Sequence, residues 1–111
     1  MDASRGCAGD PADDVAALVI NYLFFASEQS AAWPALSQLW DAFWLAYLAD
    51  SKDEGLLEVI APWMAWRGLV VSNPCFYPDV SAAGRGRILG FVERVLGAQR
   101  LDLSWADDCF R

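Results

Sequence analysis

The residues best suited to chemistry stand at the front of the chain. Asp2, Arg5, Asp10, Asp13 and Asp14 lie close together among the small residues Gly6, Ala8 and Gly9. Carboxylates on a glycine-containing loop can hold Mg²⁺, a hard cation that takes oxygen ligands. The same acids also suit the start of a helix. Asp10-Pro11 reads as an N-cap followed by the first helical residue. Asp13 and Asp14 then fall in the first turn, where carboxylates favour the helix dipole. Two further acidic sets, Asp50 with Asp53 and Glu54, and Asp107 with Asp108, could meet the amines of a cationic ligand. Capping and a solvated surface explain both sets more simply.

The elements that must position these residues read as helices. After Asp14 the run VAALVINYLFFA is apolar on nearly every face, with Val15, Leu18, Val19 and Tyr22 in one stripe and Ile20 and Phe24 in another. A helix apolar all round is a buried helix, so cover is expected on several sides. Residues 27–32 read as a polar connection. A second helix is expected over 33–49, with Leu36, Trp40, Phe43, Trp44, Tyr47 and Leu48 on one side and Ser37, Gln38 and Asp41 on the other. Ser51-Lys52-Asp53-Glu54 matches a capping box and predicts the start of a third helix. Leu56, Val59, Ile60, Trp63, Trp66 and Val70 form its apolar stripe, and Pro62 predicts a kink or split near Ile60. That helix should stop at Ser72-Asn73-Pro74, before an aromatic loop over 74–80.

Ser81 is the expected cap of a fourth helix, with Ile88, Phe91, Val92 and Val95 inward. Arg85, Arg87, Arg94 and Arg100 form its polar face, and Gly97 sits where a C′ glycine belongs. Ser104 with Asp107 suggests one last helical turn. No strand pattern of useful length appears. The expected class is all-α, about four helices plus a short C-terminal turn.

Composition limits the partners. The hydrophobic fraction is 56%, with six Trp. That exceeds the usual fraction of about 45–50%, so part of the apolar surface should meet another surface. That surface is the remainder of the same protein or a partner chain. The helical spacing of the Trp residues favours core packing over a ligand box. A net charge of −7 with no His argues against nucleic acid and permits a cationic ligand. Cys7, Cys75 and Cys109 form no CxxC, and without His no zinc site is expected. Unpaired thiols fit a reducing cytoplasm. Cys75, beside Pro74 and Phe76, is expected to be buried. The polar, acidic N-terminus is no signal peptide. The most apolar run, Val15 to Ala26, is broken by Asn21 and is shorter than the roughly 20 residues a membrane span needs. No membrane role is expected.

The order of residues in MDASRGCAGDPADDVAAL resembles the segment that closes the active site of aminoglycoside phosphotransferases and their choline-kinase-like relatives. In that family a hydrophobic strand ends in Ile-Asp. A short loop with Gly and Arg follows, then a second Asp about a dozen residues on, entering a buried helix. Here Met1 stands in place of the Ile, Asp2 matches the first Asp, Asp14 the second, and Val15-Ala16 continue the match. The resemblance implies that Asp2 binds the Mg²⁺ bridging the ATP phosphates. It places Arg5 near the active-site carboxylates, as a catalytic candidate. It gives Asp14 a supporting task, accepting hydrogen bonds from the backbone of the catalytic loop. The helix after Asp14 then corresponds to the central helix of a protein-kinase-like C-lobe. Residues 17–111 match in helical layout only, and EGLLEVIAPWMAWRGLVVSNPCFYPD carries no catalytic role.

The departures set the expected function. The glycine-rich loop, the ATP-anchoring Lys and the HGD…N catalytic loop of the family are absent, and the chain contains no His. Phosphoryl transfer depends on positioning and charge stabilisation by those parts. The chain is therefore expected as one helical piece, with 1–10 the remnant of a metal-binding loop and 11–111 a helical subdomain. It should be inactive alone, using Mg²⁺ and ATP only once the N-terminal portion of the kinase is supplied. The phosphate acceptor is a small polar molecule, and a cationic one fits the charge. The alternative from a different class is a non-enzymatic helical interaction module forming an obligate oligomer.

Overall fold

The computed structural model describes residues 10–53 and 55–111. The expectations placed on Asp2, Arg5, Cys7 and Glu54 lie outside the described residues. Those described are helical, with no strand among them: α1 Pro11–Glu28, a 3-10 turn Ser30–Ala32, α2 Trp33–Ser51, α3 Leu56–Val59, α4 Ala61–Ser72, α5 Ala82–Leu96 and α6 Trp105–Phe110. None of these helices is long and apolar enough to cross a membrane.

α1 starts as its sequence dictates. Asp10 is extended, and its carboxylate accepts from the Ala12 amide at 2.9 Å. The helix packs against α2, α4, α5 and α6. Ala12, Val15, Ala16, Val19, Ile20, Leu23 and Ala26 are buried along it. Cover comes from several sides, as expected, but one face of α1 stays open. Asp14, Leu18, Asn21 and Phe25 share an open face, Leu18 at 47% and Phe25 at 58% exposure. Spacings of four, three and four residues place them on one stripe of a helix with 3.6 residues per turn.

α2 is a different case. Trp33, Trp40 and Trp44 are its buried residues, while Leu36, Phe43, Tyr47 and Leu48 are half-buried. Ser37 lies on the inner side, contrary to the expected polar face. The outward face is carried by Ala35, Gln38, Leu39, Ala42, Leu45, Ala46 and Ala49, all exposed.

The capping box at Ser51 does not open a helix. Ser51 is the last residue of α2, Lys52 turns left-handed at φ 54°, and the Ser51 hydroxyl accepts from the Asp53 amide at 3.3 Å. The predicted break near Ile60 is present, dividing α3 from α4 with Pro62 in the first turn of the second piece. Ser81 caps α5, accepting from the Gly84 amide at 3.0 Å. Gly97 closes α5 at φ −84°, without the left-handed turn expected of a C′ glycine.

α4 and α5 meet at glycine. A Cβ on Gly68 would lie 2.5 Å from Val92 Cγ2. The α1–α5 junction is polar as well as close. Glu28 Oε1 accepts from the Ser81 amide at 3.0 Å and from its hydroxyl at 3.2 Å. Arg87 donates to the Ser27 carbonyl at 2.9 Å, and Arg85 to the Ser72 carbonyl at 2.7 Å. These two arginines therefore join α5 to the ends of α1 and α4, where a solvated polar face was expected.

Candidate functional site

The first turn of α1 holds the acids on which the sequence placed chemistry. Asp13 accepts from Arg67 of α4 at 2.7 Å, a half-exposed ion pair that ties the start of α1 to its neighbour. Such a pair contributes at most about 1 kcal/mol and weakens with salt. Asp10 is committed to its cap. Asp14 is exposed at the head of the open face and has no hydrogen-bond or ion-pair partner among the described residues. Below it, the Asn21 amide donates to the carbonyls of Ala17 and Leu18, so its polar end is partly satisfied within the helix. The open face therefore runs from one carboxylate across apolar Leu18 to apolar Phe25. Its chemistry suits a segment that offers backbone N–H groups to the acid and apolar side chains below.

At the far end of α1, Phe24 meets Phe25 edge-on at 5.9 Å and Tyr77 at 5.1 Å. Phe24, Glu28, Phe76, Tyr77 and Asp79 line a shallow cleft of about 430 Å³. Sequence reasoning missed this cleft because its two walls are far apart in the chain. The aromatic loop over 74–80 was the available signal.

The C-terminal acids serve packing. Asp107 accepts from the Trp33 indole N–H at 2.8 Å, and Asp108 pairs with Arg94 at 2.8 Å. The Arg94 guanidinium lies 5.1 Å from the centre of the Trp105 ring. Asp50 is exposed and Asp53 half-buried, with no cation paired to either among the described residues. No three potential metal-ligating side chains converge among the described residues.

Cys75 is exposed, which overturns its expected burial: the turn that begins at Asn73 lifts it outward, and its amide donates to Asn73 Oδ1 at 2.8 Å. Cys109 is half-buried, and burial pushes its thiol up, partly offset by the nearby Arg94. The thiolate is the nucleophile, so the exposure of Cys75 and the burial that raises the Cys109 thiol both favour attack at Cys75. Iodoacetamide near pH 8, read by peptide mass mapping, should modify Cys75 several-fold faster than Cys109. Equal rates would contradict the packing of α6.

No protein-family model, curated protein or solved structure matches this chain.

Proposed function

We propose that this chain is the helical C-terminal part of an ATP-dependent small-molecule phosphotransferase of the aminoglycoside phosphotransferase type, inactive without the rest of the kinase. The observation that carries the reading is the state of α1. A helix packed against four others keeps one face open, and that face is headed by the acid the resemblance assigns to bracing the catalytic loop. A buried helix in a finished domain turns apolar residues inward on every available side. Leu18 and Phe25 below Asp14 are exposed, which leaves room for further backbone and side chains on that face.

In the whole enzyme the chain supplies three things. Asp14 accepts hydrogen bonds from the backbone of the catalytic loop and holds it in one conformation. Asp2 would offer an oxygen ligand to Mg²⁺, and Arg5 would stand beside the active-site acids. Mg²⁺, when bound, neutralises charge on the phosphoryl group in flight. The γ-phosphoryl would pass from ATP to a hydroxyl of a small polar acceptor, with ADP as the leaving group and the hydroxyl proton taken by a base outside this chain.

The DNA ahead of the Met1 codon tests the reading. A reading frame encoding HGD…N shortly upstream supports it. Unrelated sequence with its own promoter there counts against it.

A further inference from the structure

We infer that the cleft at the C-terminal end of α1 binds a small organic ammonium ion, one that carries its charge on an aromatic body. The inference does not depend on the kinase reading. Phe24 and Glu28 stand ten and fourteen residues beyond Asp14, about 15–21 Å along the helix axis.

The loop that forms the outer wall is pinned, yet it shows aromatic rings to water. The Asn73 carbonyl accepts from the Phe76 amide at 3.1 Å and the Tyr77 amide at 2.9 Å, and Asn73 Oδ1 accepts from the Cys75 amide at 2.8 Å. Arg85 donates to the Tyr77 carbonyl at 3.3 Å, and Glu28 accepts from Ser81 just past the loop. Val80, 7% exposed, anchors the loop's end. Phe76 nonetheless stays 65% exposed and Tyr77 38%. On the inner wall the Phe24 ring lies 5.1 Å from Tyr77. A wall held in advance loses little freedom when a guest covers it, so less of the binding energy goes into ordering.

The lining selects a cation. Aromatic rings attract an ammonium through their quadrupole, and Phe24, Phe76 and Tyr77 line the cleft together. Two carboxylates, Glu28 and Asp79, line it as well, and no Lys or Arg does. Ser81 engages Glu28 Oε1, while Glu28 Oε2 and the Asp79 carboxylate have no partner among the described residues. Arg85 and Arg87 of α5 turn their donors to the carbonyls of Ser72, Tyr77 and Ser27. Their charges, with the N-terminus of α5, temper the pull of the two acids. The rings must therefore carry part of the affinity, which favours an organic cation over a bare metal ion. The volume of about 430 Å³ suits a small molecule, whose sites span about 300–1,000 Å³.

The probe is 2-phenylethylammonium, and 2-phenylethanol is its uncharged counterpart. In titrations of the full chain followed by amide NMR, the amine should shift residues 24–28 and 76–81 saturably. The alcohol should bind about tenfold more weakly, since it keeps the ring and loses the charge. Phe76→Ala and Asp79→Asn alter exposed residues, so both variants should keep the wild-type melting temperature. Each should weaken the amine about two- to fivefold. Asp50→Asn makes the same charge change away from the cleft and should leave binding unchanged. N-acetyl-lysine methylamide offers the same ammonium on a polypeptide side chain and should bind more weakly, having no ring. No saturable shift, equal binding of the alcohol, equal losses in Asp50→Asn and Asp79→Asn, or tighter binding of the blocked lysine would each overturn the proposal.

Discussion

Trp40→Ala should lower the unfolding free energy by about 3–5 kcal/mol, the usual cost of removing a large aromatic side chain from a core. Trp40 is 1% exposed, meets Trp44 edge-on at 5.6 Å, and donates its indole N–H to the Leu103 carbonyl at 3.2 Å. It therefore joins α2 to the segment between α5 and α6. Domains of this size hold only about 5–15 kcal/mol in total, so the loss should leave a substantial unfolded fraction near physiological temperature. A gentler pair of changes separates packing from hydrogen bonding. Trp40→Phe strands a carbonyl, whereas Trp44→Phe removes a donor that has no acceptor. Leaving a buried polar group unpaired costs more than removing an unpaired one. Urea midpoints at constant slope should therefore fall further for Trp40→Phe. The reverse order would mean that the Trp40 hydrogen bond contributes little.

Gly84→Ala is the second large effect. A Cβ there would overlap Glu28 Oε1 and lie 2.7 Å from the Ser27 carbonyl oxygen. The carboxylate can swing aside, but the carbonyl belongs to the backbone of α1, so α5 must move. Forcing an atom into a packed junction costs about 1–3 kcal/mol. The Glu28–Ser81 hydrogen bonds would also lengthen, which places the outcome at the upper end. A domain of this size loses roughly 4–8 °C per kcal/mol, so a drop of about 10–20 °C is expected by differential scanning calorimetry. Gly86→Ala is the control, since no atom lies within 4 Å of a Cβ there. It should hold or raise the melting temperature, because alanine favours a helix over glycine. Equal effects at both positions would show that α5 does not dock through Gly84.

Much of this architecture was legible in the residues. Asp10-Pro11 and Ser81 marked helix starts because each offers an oxygen to an orphan amide, a local event that needs no tertiary partner. Pro62 announced the break between α3 and α4 for an equally local reason. The capping box at Ser51 misled because the same hydroxyl can close a turn after a helix, and the left-handed Lys52 decided the matter. Arg85 and Arg87 read as solvated because their acceptors, the carbonyls of Ser72 and Ser27, are exposed only when α1 and α4 end beside α5. α1 read as apolar all round because composition does not tell which sides a neighbour covers. Only the packing of four helices revealed which face stays open. The cleft between Phe24 and the loop over 74–80 was hidden for the same reason.

The central claim is that Asp14 and the open face below it seat the catalytic loop of a kinase. Asp14 is exposed here, so Asp14→Asn should change the stability of the isolated chain by no more than about 0.5 kcal/mol. The direct test joins the chain to the segment encoded ahead of Met1 and measures Mg²⁺-dependent ATP turnover across a panel of small hydroxyl acceptors. Turnover that disappears in Asp2→Asn and falls in Asp14→Asn is the predicted result. A joined protein that turns over no acceptor, or one whose turnover ignores Asp14, would contradict the account.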